Sequence, residues 1–108
     1  MNSRFQIDRN FAKKIMNEHI MEVVLFGLVA RGDDTVDSDI DILIIADDML
    51  IVEDKIGDEV INILLEKKEH ISAHIISQEQ YNKTKNFSFL SNFYEDGVIL
   101  ESNKAIYA

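Results

Sequence analysis

The sequence predicts an α/β fold of the α+β kind, a mixed β-sheet with helices packed against it. Three observations lead there. Short β-branched, apolar runs at 22–26, 39–46, 70–76 and 98–101 alternate with stretches whose apolar residues recur at helical spacing. The run after Asp41 is unbroken in apolar character to Ala46, which marks a strand near the centre of the sheet. No proline, repeat or linker interrupts the 108 residues, so one domain spanning 1–108 is expected.

Taken in order, Ile7, Phe11 and Ile15 fall four apart and predict a first helix over about 8–17, with Asp8 placed to cap it. Glu22-Val23-Val24-Leu25-Phe26 reads as a buried first strand that delivers the chain to Gly27. Residues 29–34 form a turn or short helix, and Asp33, Asp34 and Asp37 read as solvated loop residues. The second strand covers 39–46, and Asp47-Asp48 makes a polar turn. Val52, Ile56, Val60, Ile63 and Leu64 sit at helical spacing and predict a long amphipathic helix over about 51–68. Gly57 weakens that helix slightly. His70 to Ile76 is a third strand, in which His70 and His74 are too far apart along one face to read as a zinc pair. Ser77 with Gln80 three residues on resembles a capping box opening a helix to about Thr84. Phe89, Leu90, Phe93 and Tyr94 suggest a short last helix stopped at Gly97, and 98–101 a final strand.

The chemistry concentrates between the first two strands. An apolar run ends at Gly27, a polar loop follows, and the next strand opens Ser38-Asp39-Ile40-Asp41. Side chains alternate along a strand, so Asp39 and Asp41 share one face while Ile40 and Ile42 take the other. Two adjacent carboxylates repel unless a cation intervenes, and a divalent metal such as magnesium suits one or two carboxylates together with substrate phosphates. The glycine turn upstream offers backbone N–H groups that can approach those phosphates closely.

These residues resemble the signature of the minimal nucleotidyltransferases of the polymerase-beta-like superfamily, which is Gly-Ser, ten residues, then Asp-x-Asp. Gly27, Ala30-Arg31-Gly32, the ten residues 29–38 and Asp39-Ile40-Asp41 match, and the element order extends the likeness over nearly the whole chain. Leu28 stands where the signature has serine. The resemblance implies that Asp39 and Asp41 are catalytic and bind metal, two Mg2+ ions in the active complex. It implies a nucleotide-binding set of Gly27, Leu28, Arg31 and Ser38, with Arg31 facing phosphate or bracing the loop. The implied reaction is transfer of a nucleoside monophosphate, AMP from ATP, to an acceptor hydroxyl. Stand-alone proteins of this family resemble antitoxins paired with a helical HEPN-type toxin that they can modify. The third-strand carboxylate of many relatives has no counterpart here, where Ser72, Ala73 and His74 stand. A catalytically degenerate module that neutralises a partner by contact is therefore the competing reading.

Composition narrows the field. A formal net charge of −9 opposes direct binding to nucleic acid, which needs a cationic surface, and suits a basic protein partner. There is no cysteine, hence no disulfide or thiolate chemistry. The N-terminus lacks the apolar core of a signal peptide and no run is long enough to span a bilayer, so a cytoplasmic protein is expected.

Overall fold

Four strands and four helices alternate through the residues that the computed structural model describes, 3–84 and 97–103. In chain order they are α1 (Ser3–Ile15), β1 (Ile20–Phe26), α2 (Gly27–Arg31), β2 (Ile40–Ala46), α3 (Met49–Lys67), β3 (Ile71–Ser77), α4 (Gln78–Thr84) and β4 (Val98–Ser102). The sheet runs β3-β2-β1-β4. β1 is antiparallel to both β2 and β4, while β2 and β3 are parallel, joined by the crossover helix α3. The expected mixed sheet with packed helices is what forms.

Alternation along the strands divides the sheet into two faces. Val23, Leu25, Ile40, Ile42 and Ile44 point into the main core, where Phe11, Ala12 and Ile15 of α1 meet Val52, Ile56 and Ile63 of α3. Val24, Leu43 and Ile45 are also buried but take the alternate positions, so the central strands are covered on both faces. Asp41 belongs to this second face, at the end of β2 where β1 stops.

The helix ends follow local chemistry. The Asp48 side chain accepts a hydrogen bond from the Leu50 N–H at 3.0 Å and opens α3 at Met49, two residues earlier than its apolar spacing indicates. Lys68 adopts the left-handed conformation (φ 58°) and closes α3, its N–H bonding the Leu64 carbonyl. The Ser77 hydroxyl accepts from the Gln80 N–H at 2.9 Å, as a capping box requires of its first residue.

Asp8 does not cap α1. The helix begins at Ser3, and Asp8 lies one turn after Arg4 on the same face, fully buried. The expected helix over 89–94 falls outside the described residues. Among the described residues, no helix is long and apolar enough to cross a membrane.

Candidate active site

The turn after β1 is built around Gly27. Its φ of +73° lies in the left-handed region that glycine adopts without strain. Space demands glycine as well, because a Cβ here would lie 2.5 Å from Oδ2 of Asp41. The register explains the closeness: Phe26 pairs with Asp41 across the antiparallel β1–β2 ladder, so the residue that follows β1 rides over the aspartate. The α2 helix then starts at Gly27 itself, two residues before the predicted turn. It closes at Gly32 (φ 76°), whose N–H bonds the Val29 carbonyl at 3.2 Å.

Asp39 and Asp41 flank Ile40, which is completely buried, and both project to the opposite side. The strand alternation inferred from sequence therefore holds. Asp39 is the more exposed, Asp41 the more enclosed, with side-chain exposures of 56% and 32%. Burial pushes the Asp41 carboxyl above its ordinary range; His74 opposes that shift and the Asp39 charge adds to it.

Sequence reading missed the partners of these aspartates. The parallel β2–β3 register sets Ile40 beside Ile71 and Asp41 beside Ser72. His70, just ahead of β3, thereby reaches Asp39 with its Nδ1 3.1 Å from Oδ1, and its carbonyl accepts the Ile40 N–H at 2.9 Å. His74 brings Nε2 to 4.0 Å from Asp41 Oδ1 and to 3.3 Å from the Ser72 hydroxyl, and its ring leans on Phe26 with centroids 5.5 Å apart. Among the described residues no third carboxylate joins Asp39 and Asp41 to make a metal-binding group. The spacing of the two histidines in a strand carried the only sequence signal, that they share a face.

The loop between α2 and β2 is held from below. Arg4 donates from Nη1 to the Thr35 carbonyl (2.9 Å) and to Asp34 Oδ2 (3.1 Å), and from Nη2 to the Val36 carbonyl (3.1 Å). Nη2 also meets Glu69 Oε2 at 2.9 Å, one residue before His70. Asp34 is thus mostly buried against an arginine, not a solvated loop residue; a cation thirty positions away decides its fate. Asp33 and Asp37 are exposed, as expected. Asp8 lies buried near Arg4 with neither carboxylate oxygen hydrogen-bonded, and burial raises it to about 7.

The remaining predicted site residues are distributed around the same loop. Leu28 is 40% exposed on α2. Arg31 sits in the last turn of α2, half exposed, with Nε 3.9 Å from Asp33 Oδ2. Ser38 braces the loop: its hydroxyl accepts from the Thr35 N–H at 2.9 Å and its own N–H bonds the Thr35 carbonyl.

The donor set fits a hard divalent cation. Both aspartates offer oxygen ligands on one solvent-facing side, and Gly27 leaves the room beside Asp41 that any Cβ would fill.

Comparison with known proteins accords with this geometry. The family model described as Nucleotidyltransferase domain matches residues 9–100. A Methanocaldococcus jannaschii protein provisionally named a protein adenylyltransferase is 40% identical over 91 residues, covering 84% of this chain and 88% of that protein. Among solved structures, a toxin–antitoxin complex with AMP-PNP superposes with a TM-score of 0.60 at 16% identity, over 98% of this chain and 77% of that one. A mutant of the MntA–HpeT toxin–antitoxin pair gives 0.62 at 12% identity over the same shares. A nucleotidyltransferase-type structure from Sulfolobus solfataricus gives 0.54 at 16%, covering 93% and 81%.

Proposed function

Because this chain belongs to the nucleotidyltransferase domain family, we propose that it transfers a nucleoside monophosphate, AMP from ATP, to an acceptor hydroxyl with the help of magnesium. The observation that carries the reading is the disposition of Asp39 and Asp41 on one face, closed on one side by the turn at Gly27. In the reaction the acceptor oxygen bonds the α-phosphorus as its hydroxyl proton is released to solvent, the bond from that phosphorus to the oxygen bridging to the β-phosphorus breaks, and pyrophosphate leaves. Magnesium held by Asp39 and Asp41 would neutralise and polarise the phosphoryl group.

The rest of the site positions the nucleotide. Gly27 lets the backbone approach the phosphates, and the Leu28 N–H stands in for the serine hydroxyl that relatives use. Losing that hydroxyl costs on the order of 1.5–3 kcal/mol of binding. Arg31, exposed at the end of α2, supplies cationic charge toward the phosphates or braces the loop against Asp33. Ser38 shapes the approach to Asp39 through its bonds to Thr35.

The relative named a protein adenylyltransferase makes a protein hydroxyl the favoured acceptor. With toxin–antitoxin proteins among the structural neighbours, the acceptor we favour is a partner toxin of the helical HEPN type. A contact-only antitoxin is the second reading, favoured by Leu28 and by Ser72 and His74 where relatives carry an acid.

Calorimetric titration with a non-hydrolysable ATP analogue, with and without magnesium, separates the two. Magnesium-dependent binding that disappears in Asp41→Asn supports the transferase. A folded protein that shows no binding at millimolar analogue refutes it in favour of the contact module.

A further inference from the structure

The outer side of α3 is apolar at both ends and acidic in the middle. Val52, Ile56 and Ile63 bury one side of this helix. At about 100° per residue, Leu50, Asp54, Gly57, Asp58, Ile61 and Leu65 fall on the opposite side, within a sector about 100° wide, with Ile51 and Leu64 at its margins. The five aliphatic residues are between 41% and 78% exposed. They form two patches, Leu50 with Ile51 and Ile61 with Leu64 and Leu65, roughly 16 Å apart along the axis. Scattered apolar residues need no explanation, but two clusters on one stripe of an otherwise charged helix do.

The waist between them carries two further observations. Neither the Asp54 nor the Asp58 side chain has a partner among the described residues. Gly57 weakens the helix interior, yet a Cβ there would meet nothing within 4 Å among the described residues, whose packing therefore does not require it. A glycine flanked by unpaired acids lets a second cylinder approach closely and asks it for positive charge.

We propose that this face docks a basic amphipathic helix of a partner protein. That helix would have apolar residues at either end of the contact and Arg or Lys between them, set against Asp54 and Asp58. A second copy of this chain fits poorly. Antiparallel pairing about the waist would bring Asp58 against its own counterpart, and each copy carries a net charge of −9. The face lies across the main core from Asp39 and Asp41, so the inference goes beyond the transferase reading and does not depend on it.

The test is an NMR titration of the 15N-labelled protein with a synthetic helical peptide carrying leucines at both ends of one face and arginines between. A control peptide has glutamates in place of the arginines. Shift changes confined to α3 are expected. Affinity should fall at least tenfold for the control peptide, for Ile61→Lys with Leu65→Lys, and for Asp54→Asn with Asp58→Asn. The last pair leaves the apolar patches intact and keeps the test informative if the lysine variant fails to fold. Absence of shifts on α3, or equal binding of both peptides, overturns the proposal. So does sedimentation showing that the chain alone dimerises through this face and that Ile61→Lys abolishes the dimer.

Discussion

Two groups of acids lie within a short distance of the same loop and meet opposite fates. Asp34 and Glu69 are tied to the buried Arg4, with Asp8 enclosed nearby. Asp39 and Asp41 face outward beside His70 and His74. An arginine is charged at any working pH and binds in a fixed fork, so carboxylates committed to it are structural. An imidazole near neutrality is a weak, exchangeable partner, and carboxylates beside one remain available to a cation. The kind of partner, more than the carboxylate itself, separates scaffold from site.

Removing one member of each group separates their roles most visibly. Asp41→Asn should abolish nucleotidyl transfer, a loss of about 10³-fold or more if magnesium supplies several kcal/mol to the transition state. It should not lower stability, because burial already disfavours the ionised form of this carboxyl. Arg4→Met should do the reverse in kind. It strands buried carboxylates without their cation, a loss of about 3–5 kcal/mol, and frees the Thr35 and Val36 carbonyls together with the loop leading to Asp39. Urea unfolding and a transfer assay on both variants check the contrast. Equal effects of the two substitutions on stability would erase the distinction.

Gly27→Ala probes the boundary between the two groups, since it alters the site without touching a charge. The added Cβ collides with the Asp41 carboxylate, and the backbone there has positive φ. The expected cost is about 1–3 kcal/mol of stability, with metal affinity falling alongside because Asp41 must move. A melting curve and a manganese titration read the two effects separately. A variant that melts like the parent and binds metal as well would show that the turn has slack.

How much of this was legible in the sequence depends on the range of the interaction. The alternation that sets Asp39 and Asp41 opposite Ile40 is local, and so are the Ser77–Gln80 cap and the crossover helix between two apolar runs. Strand ends were placed within two residues for the same reason. The histidine partners depend on how far α3 carries the chain before β3 begins, which fixes a parallel register that no local pattern encodes. Local pattern misassigns Asp8 and Asp34 because Arg4 sets their environment. The one trace available was the four-residue spacing of Arg4 and Asp8, which places both on one face of a helix.

The smallest expected effect comes from inside the scaffold. Asp8 is the acid near Arg4 that no hydrogen bond satisfies, and its carboxyl is raised to about 7 from an ordinary 3.8. Between those values the folded state holds a proton that the unfolded chain has released. Stability contributed by this group is therefore fully present below about pH 4 and is lost progressively as pH rises from there through about 7. Asp8→Asn keeps the shape and removes the ionisation. The variant should match the parent only near about pH 3, exceed it in urea midpoint by a margin that widens from about pH 4 to about 7, and show a flatter stability profile across that window. If the parent instead gains stability as pH rises to about 4, stays level above it, and the variant lacks that gain, Asp8 is ionised and paired with Arg4. The arginine would then satisfy three carboxylates in the interior, and the outward-facing pair beside the histidines would remain for a metal.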